Sequence, residues 1–251
     1  MKLVKMLVND EPRWGILKDG KVDLLKKAPY EEIVESGERV DYDETKLLAP
    51  CDPTKIVAIG KNYYDHALEV NEPIPDNPTI FIKPSTCLNV HLGEVEYAPL
   101  SKRVDYEGEL AFVVKKTAKK VSAANAAEYI LGYTCLNDVT ARDIQKSDAQ
   151  WARGKGYDGF APVGPILTDE VDPSAGIEIS TYLNGELKQH SNTDKLMWNI
   201  PYLLEFITEC MTLLPGDVVT TGTPAGIGPM ERGDRVEVRI EGIGSLINVI
   251  K

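Results

Sequence analysis

The segment Val104-Asp-Tyr-Glu-Gly-Glu-Leu-Ala-Phe-Val-Val114 restricts the fold more than any other, because it sets acidic groups into a run that otherwise reads as a buried β-strand. Strand side chains alternate faces, so Asp105, Glu107 and Glu109 point the same way, about 7 Å apart per two residues, and lead into apolar Ala111 and Val113. Burying an ionised carboxylate costs on the order of several kcal/mol unless something compensates, and a hard divalent ion with oxygen ligands is a common solution. A solvated strand face with its charges in water is the other reading open to this segment alone.

The chain has 251 residues, enough to bury a sizeable core as one large domain or as a domain with a small appendage. Its 28 basic and 39 acidic residues give a net charge of −11, which argues against nucleic acid or an anionic membrane surface as partner. An anionic ligand must then be held by local positive charge. No apolar run reaches the roughly 20 residues of a membrane span, and the first residues lack a signal-peptide core, so a soluble cytoplasmic protein is expected. Cys51, Cys87, Cys135 and Cys210 are scattered and read as structural thiols. Cys87 and His91 stand four apart, but a zinc site needs two further soft ligands and only His66 and His190 remain as histidines. No Gly-x-Ser-x-Gly elbow occurs, which argues against serine-hydrolase chemistry.

Residues 1–48 read as a small N-terminal appendage of short strands over 3–8, 14–17 and 22–25, with Asp19-Gly20 as a hairpin turn; residues 49–251 form the main domain. Within the main domain a buried strand spans 56–60, a short helix 63–70, and a Pro-rich loop, suited to a lid hinge, 72–78. Strands follow at 79–82, 104–114 and 133–136, with a helix over 123–131 between the last two. Thr140-Ala-Arg-Asp143 spells a capping box that starts another helix. Downstream, 177–183 and 186–189 form a hairpin about Asn184-Gly185, residues 201–210 carry helical apolar spacing, and 217–221, 235–241 and 245–250 are β-rich. Strands outnumber helices, which predicts a mixed β-rich α+β fold, rolled or sandwich-like, with peripheral helices.

Several polar residues stand out against this frame. Asp138, at a strand end, offers a third carboxylate to a site of oxygen ligands and water of the kind Mg²⁺ or Mn²⁺ prefers. His66 and Glu69, spaced i and i+3, share a helix face, where the carboxylate can orient the imidazole as a general base; an exposed helix surface is the alternative. Lys155 lies among glycines and aromatics with few stabilising neighbours in sequence. The loop Thr221-Gly-Thr-Pro-Ala-Gly-Ile-Gly228 follows a strand, and its amides with the Thr223 hydroxyl can hold a carboxylate, or its glycines serve only tight turns. From local charge, Arg153, Lys83 and the loop 88–96 are expected to meet a second carboxylate at the distal end of the substrate pocket.

Gly60-Lys-Asn-Tyr-Tyr-Asp-His-Ala-Leu-Glu69, Phe81-Ile-Lys-Pro-Ser85, Tyr106-Glu-Gly-Glu109, Asn137-Asp-Val-Thr-Ala-Arg-Asp143, Lys155 with Asp158-Gly-Phe-Ala-Pro-Val-Gly-Pro165, and Thr221-Gly-Thr-Pro-Ala-Gly-Ile-Gly-Pro229 resemble the fumarylacetoacetate hydrolase family, in order and at family-like spacing. The resemblance implies a β-sandwich roll, usually a homodimer, that binds Mg²⁺ or Mn²⁺ through Glu107, Glu109 and Asp138; Asp105 matches no family ligand. It implies 2-oxo or 2-hydroxy-enol carboxylate substrates, fixed by Arg142, Gln145, Lys155 and Thr223, with His66 and Glu69 as a lid pair that activates water. Acylpyruvate hydrolysis of the fumarylpyruvate type is the leading expectation, with 2-hydroxyhepta-2,4-diene-1,7-dioate isomerisation or oxaloacetate tautomerisation or decarboxylation as alternatives. A different class of reading is a non-catalytic β-module that holds a structural Ca²⁺.

Overall fold

The computed structural model describes residues 1–251 apart from Glu31 and Glu72. Its largest sheet runs, in spatial order, through strands Glu35–Asp41, Lys21–Leu25, Glu11–Lys18, Lys2–Val8, Ala161–Thr168, Ile130–Asn137, Gly108–Val114, Val218–Thr220, Lys55–Gly60 and Thr79–Pro84. A five-stranded sheet contains the hairpin Glu178–Leu183 and Glu186–Asn192 together with Arg235–Ile240 and Gly244–Ile250. A three-stranded sheet joins Thr140–Ala141, Val104–Tyr106 and Gly228–Met230. The fold is the expected β-rich α+β roll of packed sheets with few, peripheral helices.

Alternation explains how the sheets pack. Leu110, Phe112 and Val114 belong to one core, shared with Ile179 and Val238 of the five-stranded sheet and with the helix Ile200–Cys210. Ala111 and Val113 face a second core with Trp14, Ile56, Leu136 and Leu167. The strand is therefore buried on both faces, and Glu109 lies on the Ala111 and Val113 side. Helix Ile200–Cys210 buries Ile200, Leu203, Leu204, Ile207 and Thr208, a single stripe at helical spacing. Asn199 caps it, accepting from the Tyr202 amide at 3.0 Å.

Three local expectations need correction, and one strand went unread. The acidic segment is not one strand: it breaks at Glu107, with Val104–Tyr106 in the small sheet and Gly108–Val114 in the large one. The Asn137 side chain fills the gap in the ladder, accepting from the Glu107 amide at 3.0 Å. Residues 123–131 are not an α-helix but the 3-10 run Ala123–Tyr129, which buries only Ala126 and leads directly into strand Ile130–Asn137. Thr140-x-x-Asp143 is not a capping box. Thr140 sits in a short strand, its hydroxyl bonded to the Asp138 carbonyl at 2.8 Å, and Asp143 accepts from Ser101 Oγ and the Lys102 amide. The helix Arg142–Ser147 starts with no side-chain cap. Finally, Ala161–Thr168 is a wholly buried strand of the large sheet, which Pro162 and Pro165 hide from a reading of the sequence. Of the Pro-rich loop 72–78, Glu72 lies outside the described residues and 73–78 hold no helix or strand.

Candidate active site

The break at Glu107 lets one turn of extended chain present two carboxylates to the end of a neighbouring strand. Gly108 pairs with Asn137, and the Asp138 amide donates to the Glu107 carbonyl at 2.8 Å, which brings Asp138 beside Glu107 and Glu109. A ligand oxygen from each of the three lies within 4.8 Å of the others, and all three residues are buried. Gly108 is required here, because a Cβ at that position would meet Thr181 Oγ1 at 2.1 Å.

Cations surround this cluster. Lys155, at the end of the short helix Ala152–Lys155 and 2% exposed, donates from Nζ to Glu107 Oε2 at 2.7 Å and Asp138 Oδ2 at 2.6 Å. Lys83 Nζ donates to Asp138 Oδ1 at 2.6 Å. Arg142 donates from Nε to Asp105 Oδ2 at 2.9 Å and from Nη1 to Gln145 Oε1 at 2.6 Å, and it pairs with Glu107 through Nη2. Asp105 is thus a counter-ion for Arg142 and Arg103, set apart from the three clustered carboxylates. Glu109 differs from its neighbours. It accepts the Gly222 amide at 2.8 Å but takes part in no salt bridge among the described residues.

The titration behaviour follows from this asymmetry. Burial would raise Glu107, but Lys155 and Arg142 overcome it and hold its carboxyl below the ordinary range. Burial and the nearby Asp138 push Glu109 well above its ordinary value. Lys155 is held charged: burial works against its proton, and Asp138 and Glu107 outweigh it.

Above the cluster lies the helix Tyr64–Glu69. His66 is buried and Glu69 sits at the surface; Nδ1 of the imidazole and Oε2 of the carboxylate are 3.1 Å apart, so the expected pair is formed. Glu69 also accepts the Gly226 amide at 2.9 Å, tying this helix to the loop after Val218–Thr220. Burial would raise the Glu69 carboxyl, and the bonds from His66 and Gly226 lower it. One pocket is lined by His66, Glu107, Glu109, Asp138, Arg142, Gln145, Lys155 and Thr223, all nine sequence-derived site residues except Glu69, which reaches it through His66.

The glycine loop is more committed than the sequence suggests. Thr223 Oγ1 donates to the Gly108 carbonyl at 2.9 Å and accepts from Gln189 Nε2 at 2.8 Å, while the Gly222 amide is taken by Glu109. Gly222 has φ 94°, and a Cβ there would meet Asn62 Cβ at 2.8 Å, so this turn needs glycine. Gln189, not singled out from the sequence, is fully buried and also accepts from the Gly108 amide at 3.0 Å, clamping the loop to the acidic strand. Its position in an alternating hairpin strand carries no signal that its amide turns inward to a site.

Lys83, Arg153 and residues 88–96, expected at the distal end, are not among the residues that line this pocket. Lys83 is fully buried beneath Asp138; Arg153 is exposed and pairs with Asp148 at 2.7 and 2.6 Å; no residue of 88–96 lines the pocket. The zinc alternative also fails among the described residues, where Glu107, Glu109 and Asp138 form the one group of three or more metal-ligating side chains. Cys87 Sγ instead donates to the Lys155 carbonyl at 3.6 Å, and His91 Nδ1 accepts from the Ile247 amide at 3.2 Å.

Comparison with known proteins agrees with this architecture. Residues 55–251 match the family model described as fumarylacetoacetate (FAA) hydrolase, C-terminal, and residues 1–50 match one described as Rv2993c-like, N-terminal. The chain is 37% identical to oxaloacetate tautomerase YisK of Bacillus subtilis, over 82% of this chain and 73% of that protein. It superposes on 5-carboxymethyl-2-hydroxymuconate delta-isomerase from Mycobacterium smegmatis with a TM-score of 0.93 and 39% identity, covering 100% of this chain and 99% of that one. It superposes on fumarylpyruvate hydrolase from Pseudomonas aeruginosa, solved with Mn²⁺ and pyruvate, with a TM-score of 0.74 and 30% identity, covering 80% and 90%. With more than half its length matched by the family model and its sheets, carboxylate cluster and glycine loop arranged as described, this chain belongs to the fumarylacetoacetate hydrolase family.

Proposed function

We propose that this protein is a Mg²⁺- or Mn²⁺-dependent enzyme that hydrolyses the carbon-carbon bond of an acylpyruvate of the fumarylpyruvate type. The observation that carries this reading is the convergence of the Glu107, Glu109 and Asp138 carboxylates, Lys155 and the His66 and Glu69 pair on one pocket. The donor set fits a hard divalent cation: three buried carboxylates within 4.8 Å, one of them, Glu109, without a cationic partner among the described residues. Bound there, such an ion supplies positive charge against which a 2-oxo carboxylate can be held. The hydrolase neighbour solved with Mn²⁺ and pyruvate supports the choice of ion.

The chain's own groups account for the remaining steps. Arg142, Gln145 and Thr223 line the pocket around the carboxylates and orient the 2-oxo acid end. His66, its Nδ1 held by Glu69, takes a proton from water at Nε2, and the hydroxide oxygen bonds to the distal acyl carbon. The bond between that carbon and C3 then breaks. Its electron pair passes into the 2-oxo group as an enolate facing the Lys155 ammonium, and the proton from His66 goes to C3, releasing pyruvate and the acid. The tie from Glu69 to Gly226 holds the helix over the pocket, which keeps bulk water out. A homodimer of the 27.7 kDa chain is part of the proposal.

The oxaloacetate tautomerase and hydroxymuconate isomerase relatives favour a second reading, in which the same imidazole moves a proton between carbons without cleavage. The test is an ultraviolet assay with acetylpyruvate, fumarylpyruvate, oxaloacetate and 2-hydroxyhepta-2,4-dienedioate, each with Mg²⁺, Mn²⁺ or EDTA and with products resolved by chromatography. Metal-dependent release of pyruvate with an acid is expected; loss of enol absorbance without cleavage assigns the second reading. No turnover of any substrate with any metal returns the Ca²⁺-module alternative.

A further inference from the structure

The pocket floor is crowded with charge, but its mouth has a separate character. Lys155 Nζ lies 5.1 Å from the centre of the Phe81 ring, and Phe81 meets Trp151 edge to face at 5.2 Å, so an aromatic wall rises from the charged floor. Lys146 also lines this pocket. Arg142 and Lys146 are four apart on helix Arg142–Ser147 and share one face, separated by about 6 Å of helical rise. Arg142 is buried, bonded to Asp105, Glu107 and Gln145, whereas Lys146 is exposed yet lines the same pocket.

The acids next to Lys146 in sequence are already engaged. Asp143 accepts from Ser101 Oγ and the Lys102 amide, and Asp148 is held by both arms of Arg153. Lys146 has no ion-pair partner among the described residues.

We propose that Lys146 forms an anion subsite at the pocket mouth that selects 2-oxo acids carrying a second, terminal carboxylate across an apolar chain. The inference rests on the functional reading above and narrows its substrate class to diacids. It replaces the distal contacts expected of Arg153 and Lys83, and on a chain of net charge −11 it gives the outer end of a dianionic substrate a local positive target.

The experiment compares 2-oxoadipate with 2-oxohexanoate, which share a six-carbon chain and differ in the terminal carboxylate. Neither has the bond that the enzyme is proposed to cleave, so calorimetric binding to the full chain with Mn²⁺ is read apart from turnover. The wild type is expected to bind the diacid about 5-fold more tightly, the size of an exposed ion pair. Lys146→Met should weaken 2-oxoadipate towards 2-oxohexanoate and leave the latter unchanged; Lys146→Arg should keep the preference, and Lys146→Glu should reverse it. Raising the salt concentration should erode the preference in the wild type. Equal binding by the wild type, or an undiminished preference in Lys146→Met, overturns the subsite. If acetylpyruvate is hydrolysed but no preference exists, the subsite fails and the functional reading stands. If the preference is present and Lys146-dependent but no acylpyruvate is cleaved, the reading fails and the subsite stands; binding of neither acid removes both.

Discussion

Lys155 is the central cation of the site, a buried ammonium that bridges Glu107 and Asp138. Lys155→Met should lower kcat about 10²- to 10³-fold, the cost of removing one group aimed at developing negative charge, while circular dichroism stays as in the wild type and Mn²⁺ binds at least as tightly, because the ammonium no longer competes for Glu107 and Asp138. Glu69→Gln keeps the shape of the lid but weakens its hold on the His66 imidazole. A loss of roughly 10²-fold in acylpyruvate cleavage with little change in KM is expected from steady-state kinetics. Glu107, Glu109 and Asp138 stood out because carboxylates in a β-rich, apolar context need a reason to be there, but alternation grouped Asp105 with Glu107 and Glu109, and only the family resemblance set Asp105 aside. Lys83 and Gln189 did not stand out. Lys83 lies in strand Thr79–Pro84, whose pattern gives no sign of which buried group its amine reaches, and Gln189 is joined to Gly108 and Thr223 only by the packing of two sheets.

At the scale of elements, the site depends on how strand Lys55–Gly60 lies parallel to Val218–Thr220, with Ile56 opposite Val218. Asp217 fixes that junction. It is fully buried by side chain and accepts from Thr54 N and Oγ1 at 2.8 and 2.7 Å, Lys55 Nζ at 2.5 Å and Leu214 N at 2.8 Å. Burial would raise its carboxyl, and these donors lower it. A group depressed in the folded state adds stability that is complete above its unfolded value and disappears as pH falls through the lower folded one. Asp217→Asn should therefore cost about 2–4 kcal/mol near neutral pH, and the gap to the wild type in urea melts should narrow below the ordinary aspartate range; a gap independent of pH would contradict this. Hairpins about Asp19-Gly20 and Asn184-Gly185 were plain in the sequence because both turn residues must take positive φ, as they do. Strand Ala161–Thr168 and the uncapped helix at Arg142 were not, since tertiary packing overrode the local meaning of proline in one and of Thr140 in the other.

For the whole molecule, the continuous sheet from Glu35–Asp41 to Thr79–Pro84 joins residues 2–41 to the domain that carries the site, through the pairing of Lys2–Val8 with Ala161–Thr168. We propose that the chain nevertheless divides between residues 48 and 49, where limited proteolysis is expected to cut first. Binding a cation only in the folded state must stabilise the whole chain. At free Mn²⁺ one hundred times its dissociation constant the gain is about 2.7 kcal/mol, which raises Tm by roughly 5–10 °C for a chain of this size, and Glu109→Gln should abolish the shift. The class of fold was open to a sequence reading because strand periodicity and turn residues are local signals. The reaction was not, because hydrolysis and proton shuttling draw on the same residues and differ in where water stands. The most direct measurement is the incubation of fumarylpyruvate with enzyme and Mn²⁺ in ¹⁸O-water, followed by mass spectrometry of the products. The account predicts pyruvate together with fumarate that has gained one ¹⁸O in its new carboxylate; consumption of the enol signal with no ¹⁸O-labelled fumarate would contradict it.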